Sequence, residues 1–332
     1  MPEGASALKG RRVLVTGAGG FIGSHLAERL AELGARTRAA VRYSSTGTHG
    51  WLTGSPLEND MEIVTIDVTD RDTLRKATRD VEIVFHLAAL IGIPYSYDAP
   101  QSYVRTNVEG SVNLFQAALD QGVSRVIHTS TSEVYGTARY VPIDEAHPLQ
   151  GQSPYSASKI GADKQAEAFW RSFRLPVVTL RPFNTYGPRQ SARAVIPTIV
   201  TQAMAGQPIK LGNLTPTRDL NYVTDTVEGF CLAAVSEGAV GETINLGTGV
   251  EISIGELAQK ILEMMGVKAE VVPEEKRVRP ELSEVERLCA SAERAKQLLG
   301  WSPRYDLDQG LQQTIAWIKE RGGLYDVKAY AV

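Results

Sequence analysis

Apolar and polar positions along the first half of the chain fall into two rhythms, short apolar runs and longer stretches at helical spacing. Arg12–Thr16 is a short run that predicts a buried strand, and residues 21–33 predict an amphipathic helix closed by Gly34. Residues 37–41, 62–66 and 82–87 predict three more strands, with a short helix over 70–79 between the last two. A long helix over 101–121 stops at Gly122, ahead of a strand at Arg125–Thr129. A helix over 155–173 and a strand over 177–180 follow. Strands separated by helices predict an α/β fold: a Rossmann-like, doubly wound parallel sheet.

The rhythm loosens after Pro182, where Pro188, Pro197, Pro208, Pro216, Pro273, Pro280 and Pro303 cut the chain into shorter elements. The expected organisation is a dinucleotide-binding lobe over 1–182 and a smaller, mainly substrate-binding lobe over 183–332. Part of 219–246, through the runs 223–236 and 242–246, is expected to return to the main sheet. The tail pattern around Trp301 and from Leu311 to Trp317 predicts a last helix on the smaller lobe. Residues 44–59 are polar and glycine-rich and predict a loop that is mobile without ligand.

Charge is close to balanced, with 35 basic against 38 acidic residues, and there is no basic block or acidic tail. Nucleic acid and anionic membrane surfaces are therefore not expected partners. The two cysteines, Cys231 and Cys289, form no CxxC pattern, so no disulfide framework or zinc site is expected. No stretch of about 18 apolar residues occurs, and the first residues carry no long apolar core of a leader. The expected location is the cytoplasm.

The first strand runs directly into Gly17-Ala18-Gly19-Gly20-Phe21-Ile22-Gly23. In that setting Gly17 permits a tight turn, Gly20 lets backbone amides approach a pyrophosphate, and Gly23 lets helix and strand pack closely. The helix N-terminus adds partial positive charge. An ordinary glycine-rich turn is the alternative. At the end of the second strand, where an NAD site usually carries an acid, stand Arg42 and Ser44. A guanidinium beside hydroxyls suits a 2′-phosphate and favours NADP, the alternative being Arg42 stacked on adenine in an NAD enzyme. Asp67 is placed for the adenine amine. Leu87, Ala88 and Ala89 offer small residues beside the nicotinamide ribose.

Tyr155 and Lys159 lie four residues apart and so on one helix face. A phenol titrates near pH 10, and a nearby cation is expected to lower that value toward use as a base. Thr131 can donate a hydrogen bond to the same substrate oxygen. A surface Tyr/Lys pair is the alternative, as is a non-catalytic dinucleotide sensor, which would have no need of the pair. His86 is read as a packed core histidine.

Together TGAGGFIG, HLAA, TSTSEVYG, YSASK and RPFNTYGPR resemble the extended short-chain dehydrogenase/reductase family acting on nucleotide sugars, from Val13 to Trp317. Within residues 130–193, PLQGQSPYSASKIGADK and RPFNTYGPRQSARAVIP are similar to 4,6-dehydratases of N-acetylglucosamine nucleotides of the legionaminate type. The resemblance implies a catalytic triad of Thr131, Tyr155 and Lys159. It implies a cofactor site that also takes in Phe21, Ile22, Val68, Asn107 and Pro182. Ser132-Glu133 implies an elimination base at Glu133, with the general acid open among Glu133, Ser132, Tyr155 and water. UDP-glucuronate decarboxylases of the family also carry Ser-Glu there, so decarboxylation or C4 epimerisation stays open beside dehydration of a UDP- or GDP-linked sugar. Asn184, Arg189, Arg218 and Arg279 are candidates for the nucleotide diphosphate, Arg193 a weaker one, and Tyr95 and Ser96 are candidates for the sugar. The resemblance further implies a homodimer through helices 101–121 and 155–173.

Overall fold

The computed structural model describes residues 5–325, so both chain ends of the expected lobes, 1–4 and 326–332, lie outside the described residues. Among them a seven-stranded parallel sheet forms the centre. Six strands enter it in turn: β1 (Arg12–Thr16), β2 (Arg36–Val41), β3 (Glu62–Thr65), β4 (Ile83–His86), β5 (Arg125–Thr129) and β6 (Val177–Pro182). After β7 (Asn184–Tyr186), β8 (Ile209–Leu211) and β9 (Thr217–Tyr222), the strand β10 (Thr243–Leu246) joins it beside β6. The order β10-β6-β5-β4-β1-β2-β3 reverses between β1 and β4. In open sheets of this kind, ligands bind in the crevice at the carboxyl ends of the strands where the order reverses.

Alternation along each strand fills both faces. Val13 and Val15 pack with Leu26 and Leu30 of α1 (Phe21–Glu32), while Leu14 joins Val84, Leu114, Phe115 and Phe169 on the opposite side. Each such fully buried large side chain contributes about 1.5–3 kcal/mol. The second face is covered by α2 (Arg71–Ala77), then, after α3 (Ile93–Asp98) and α4 (Pro100–Tyr103), by α5 (Gly110–Asp120) and α6 (Pro154–Phe173). Ser153 caps α6 reciprocally with Ser156, and Pro154 occupies the first turn, where no donor is needed.

Beyond α7 (Val195–Met204), the segment 219–246 divides. β9 pairs with β7, and with β11 (Glu251–Ser253) and β13 (Arg287–Leu288), outside the main sheet. By contrast α8 (Val223–Val235) packs beside α1. Buried Asp219 joins three segments, accepting from Thr248 N and Oγ1 (2.8 and 2.7 Å), Gly249 N (2.9 Å) and Ala290 N (3.0 Å). The remaining elements are α9 (Ile254–Met265), β12 (Val271–Pro273) paired with β8, α10 (Glu293–Leu299) and α11 (Leu307–Glu320). No helix among the described residues is long and apolar enough to cross a membrane.

Two sequence expectations need correction. The helix expected over 101–121 is interrupted: a π-helical turn, Val104–Glu109, separates α4 from α5. Such turns change the phase of a helix, and this one turns Asn107 inward onto Leu90. The segment 44–59 is also more ordered than a free loop. Leu52 is fully buried, Trp51 meets Trp317 of α11 edge-on at 5.5 Å, and Ser55 Oγ donates to Glu28 of α1 (2.6 Å).

Candidate active site

The glycine turn sits between β1 and α1 at the point of reversal. Gly17 has φ +71°, and a Cβ there would lie 2.9 Å from Ala88 N; at Gly23 it would lie 2.1 Å from Gly17 O. Gly20 is the N-cap of α1 and offers no side-chain acceptor, so the amides of Phe21 and Ile22 remain available to an anion. This cradle fits a dinucleotide pyrophosphate. Gly19, which sequence reasoning passed over, supports the neighbouring segment: its carbonyl accepts from Trp51 N (3.0 Å), and Gly50 packs directly on it.

A buried polar chain joins the ends of β1 and β4. Burial holds His86 well below the usual imidazole range, so it is neutral and has one proton to give. Ser111 Oγ donates to Asn107 O (2.6 Å) and so accepts from His86 Nε2 (3.1 Å). His86 Nδ1 then accepts from Thr16 Oγ1 (2.9 Å), which in turn accepts from Leu87 N and Ala88 N (both 3.2 Å). His86 is thus a core residue with a job, fixing the backbone of residues 87–88. Asn107 spans the next turn, bonding both backbone groups of Leu90 (2.8 and 2.9 Å) and Ser158 Oγ (2.9 Å). Val68 is buried against Gly110, and Pro182 ends β6 beside Leu246.

At the far end of the cradle Arg42 is exposed, and Ser44 bonds Thr46 and Thr48. Asp67 Oδ1 accepts from Thr69 N and Oγ1 (both 2.8 Å). Those bonds, with Arg42 and Arg105 nearby, hold its carboxyl below the usual range.

Thr131, Ser132, Glu133, Tyr155 and Lys159 converge at the carboxyl end of β5. Thr131 caps the turn Ser132–Tyr135, accepting from Glu133 N (3.2 Å), and also hydrogen-bonds the Tyr155 phenol. Ser132 and Glu133 are buried, at 2% and 8% exposure. Tyr103 meets Tyr155 edge-on at 6.2 Å. The expected acidification of Tyr155 by its lysine is not what the geometry gives. Burial raises the phenol above its ordinary value, the Thr131 bond opposes this, and the Glu133, Tyr103 and Asp163 charges raise it further. Lys159 Nζ instead donates to Thr129 O (2.6 Å), and burial brings the amine down to about 8, against the pull of Asp163.

Behind this group lies a network the sequence reading did not include. Asp163, one helical turn after Lys159, accepts from Ser130 Oγ (2.8 Å), His128 Nε2 (3.2 Å) and Arg181 Nε and Nη2 (3.1 and 2.9 Å). Arg181 Nη1 also donates to Tyr135 OH (3.0 Å), and Tyr135 OH donates to Asn245 Oδ1 (2.7 Å). The signal was present: an arginine inside the apolar run 177–182 cannot be buried without a partner.

The substrate candidates divide. Arg218 and Arg279 converge on Glu284, each at 3.5 Å, and the charges of Glu133 and Arg279 act on Arg218. Oδ1 of Asn184 and Nη1 of Arg279 are buried without a hydrogen-bond partner among the described residues. Tyr95 is 42% exposed, and Arg193 is exposed above Gly92. Ser96 is a correction: it is fully buried, and its hydroxyl closes its own helix turn on Ile93 O (2.6 Å). Arg189, just after β7, lies against Glu28 of α1, with Nη1 and Nη2 at 2.9 and 3.0 Å from its carboxylate, and so ties that segment to α1. If Arg218 binds an anionic substrate, Arg218→Gln is expected to raise its KM by about tenfold or more, with a smaller change in kcat. Arg189→Gln is expected to lower Tm with KM little changed. Steady-state kinetics alongside thermal melts check both.

The family model described as GDP-mannose 4,6 dehydratase matches residues 14–314. A UDP-glucose 4-epimerase from Mycolicibacterium smegmatis is 35% identical, over 93% of this chain and 99% of its own length. A UDP-N-acetyl-alpha-D-glucosaminuronate decarboxylase from Bacillus cytotoxicus is 32% identical, over 93% and 98%. Among solved structures, a dTDP-glucose 4,6-dehydratase from Streptomyces venezuelae with NAD bound superposes with a TM-score of 0.87 at 30% identity, covering 95% of this chain and 99% of that one.

Proposed function

From the premise that the chain belongs to the GDP-mannose 4,6 dehydratase family of nucleotide-sugar enzymes, we propose that it is an NAD(P)-dependent 4,6-dehydratase of a UDP- or GDP-N-acetylglucosamine-type nucleotide. The product is the 4-keto-6-deoxy sugar nucleotide. The observation that carries the proposal is Glu133: a carboxylate buried beside Thr131, with its charge acting on both Tyr155 and Arg218. C4 oxidation alone does not require a carboxylate there; removing a proton from C5 does.

A bound nicotinamide would take hydride from C4 and return it at C6, and its oxidised ring would bring positive charge to the phenol. Tyr155 accepts the proton of the C4 hydroxyl, while Thr131 donates to the same oxygen and fixes its direction. Lys159, held by Thr129 O, supplies a buried positive charge one helical turn from Tyr155. The ketone made at C4 acidifies the C5 hydrogen, which Glu133 removes as the C6 hydroxyl leaves. The proton that leaves with that hydroxyl comes from Glu133, Ser132, Tyr155 or water. Arg218, Arg279 and Asn184 hold the diphosphate end, and Tyr95 borders the sugar.

The cradle of Gly17, Gly20, Phe21, Ile22 and Gly23 would hold the pyrophosphate, Asp67 the adenine end and residues 87–89 the nicotinamide ribose. Exposed Arg42, with no acid beside it at the end of β2, favours NADP over NAD. The protein works in the cytoplasm as a homodimer through 101–121 and 155–173, whose half-exposed Val104 and Phe173 suit a covered face. A second reading, decarboxylation or C4 epimerisation, is favoured by the relatives of those activities.

Glu133→Gln separates elimination from epimerisation. It is expected to reduce the nicotinamide on adding substrate, then stall with less than about 1% of wild-type turnover, since general-base catalysis contributes about 10²–10⁴-fold. Stopped-flow absorbance with product analysis measures this. A Glu133→Gln chain that turns over normally would point to epimerisation and away from elimination.

A further inference from the structure

We infer that Asp163, held by Arg181, Ser130 and His128, is a positioning residue that keeps the Lys159 ammonium aimed and charge-balanced for oxidation at C4. The inference rests on the C4 oxidation of the reading above and not on its elimination step.

Asp163 follows Lys159 by one turn of α6 and is 5% exposed. Four donors from two neighbouring strands fix its carboxylate: His128 and Ser130 at the end of β5, and the two nitrogens of Arg181 on β6. Lys159 is equally buried, and its Nζ donates to Thr129 O (2.6 Å), on the strand that carries His128. The titratable groups around this ammonium can be enumerated by element. Tyr155 and Asp163 come from α6, His128 from β5 and His86 from β4, while Arg181 on β6 faces Asp163, and Glu133 and Tyr103 face Tyr155. Burial holds both histidines below the usual imidazole range, so they bring no charge at neutral pH. Asp163 is then the anion that balances Lys159, and it does so while shared with Arg181.

The carboxylate is hydrogen-bonded to one buried cation, Arg181, and acts on a second, Lys159, through its charge alone. That difference separates two roles. A carboxylate that only paired Arg181 would matter for stability wherever it is ionised, and would leave the titration of Lys159 unmoved. A carboxylate that also balances Lys159 must set the pH at which the ammonium is lost. Burial already brings that amine down to about 8, and Asp163 opposes the shift. Removing the anion moves the titration further down, so activity that needs the ammonium fails at lower pH.

A cavity of about 620 Å³ adjoins the network and is lined by Asp163, Lys164, Trp170, Arg181 and Arg294 among others. It gives a small carboxylate a way in when the Asp163 side chain is cut back.

The test uses the full chain with bound cofactor and reads nicotinamide reduction in a single turnover as a function of pH. In the wild type the rate is expected to fall as pH rises through about 8. In Asp163→Asn that limb is expected about one to three pH units lower, with the low-pH plateau kept within a few-fold. Ser130→Ala, which removes a neutral donor and leaves the charge, is expected to keep the wild-type limb. Should Asp163→Asn not fold, Asp163→Ala purified in formate gives the same reading, its limb moving back up as formate is added. A limb that stays in place while the whole profile drops, or one indifferent to formate, overturns the inference. Absence of nicotinamide reduction in the wild type would instead overturn the C4 reading, and this inference with it.

Discussion

Tyr155→Phe is expected to slow hydride transfer from C4 by about 10²–10⁴-fold, the range that a positioned proton acceptor contributes. The substitution removes one oxygen and keeps the ring, so the edge contact with Tyr103 and the burial at 7% exposure are retained. Tm is expected to change little, because the lost phenol bond to Thr131 is worth about 1 kcal/mol and the buried hydroxyl's desolvation cost goes with it. Binding of the nucleotide sugar, measured by calorimetry, is expected to stay within a few-fold, since Arg218 and Arg279, the residues proposed for the diphosphate, are untouched. Rapid-mixing absorbance of the nicotinamide provides the rate. A Tyr155→Phe chain that reduces its cofactor as fast as wild type would remove the phenol from the mechanism.

Arg181→Leu is expected to cost about 3–5 kcal/mol of stability, because it strands a buried carboxylate rather than deleting a pair. Asp163 would lose two of its four hydrogen bonds, and Tyr135 would lose a donor and the cation 5.0 Å over its ring. The pH dependence of the loss follows from Asp163. Burial pushes its carboxyl up, yet the His128 bond, the Arg181 charge and the Ser130 bond outweigh that and bring it to about 2. A carboxyl held below its unfolded value, about 3.9, stabilises the fold above that pH and ceases to as pH falls toward 2. The deficit of Arg181→Leu is thus expected to be full at neutral pH and to narrow in acid. Urea unfolding at pH 7 and near pH 3 measures it; an equal deficit at both would mean that Asp163 is not the group left unpaired.

The parts of this molecule that were legible in the sequence are those set by local rules. β1 and β5 fall on the residues their apolar runs marked, and Gly17 occupies a φ of +71° that the motif's tight turn demands. The Rossmann-like parallel sheet follows from strands and helices in alternation. What escaped were choices of partner. Nothing in the spacing of Arg189 says that Glu28, 161 residues earlier, already holds it. Ser96 looks like any loop hydroxyl until its helix turn buries it on Ile93 O. The π turn at Val104–Glu109 is invisible to a pattern that counts apolar residues, because the cause is a polar one, Asn107 bonding Leu90. Residues 44–59 read as loose since their composition is polar, but their order comes from Gly19 and Trp317, far away in the chain. The placing of Tyr155 and Lys159 on one helix was visible. Its electrostatic sense was not, because burial acts on both groups more strongly than they act on each other.

Mass spectrometry of the product formed from a UDP- or GDP-N-acetylglucosamine nucleotide in deuterium oxide addresses the whole account at once. The expected product has lost water and carries one solvent deuteron at C5, with a 6-deoxy carbon and no net consumption of nicotinamide. A product of unchanged composition, differing only at C4, or loss of carbon dioxide from the matching uronic acid in its place, would contradict it.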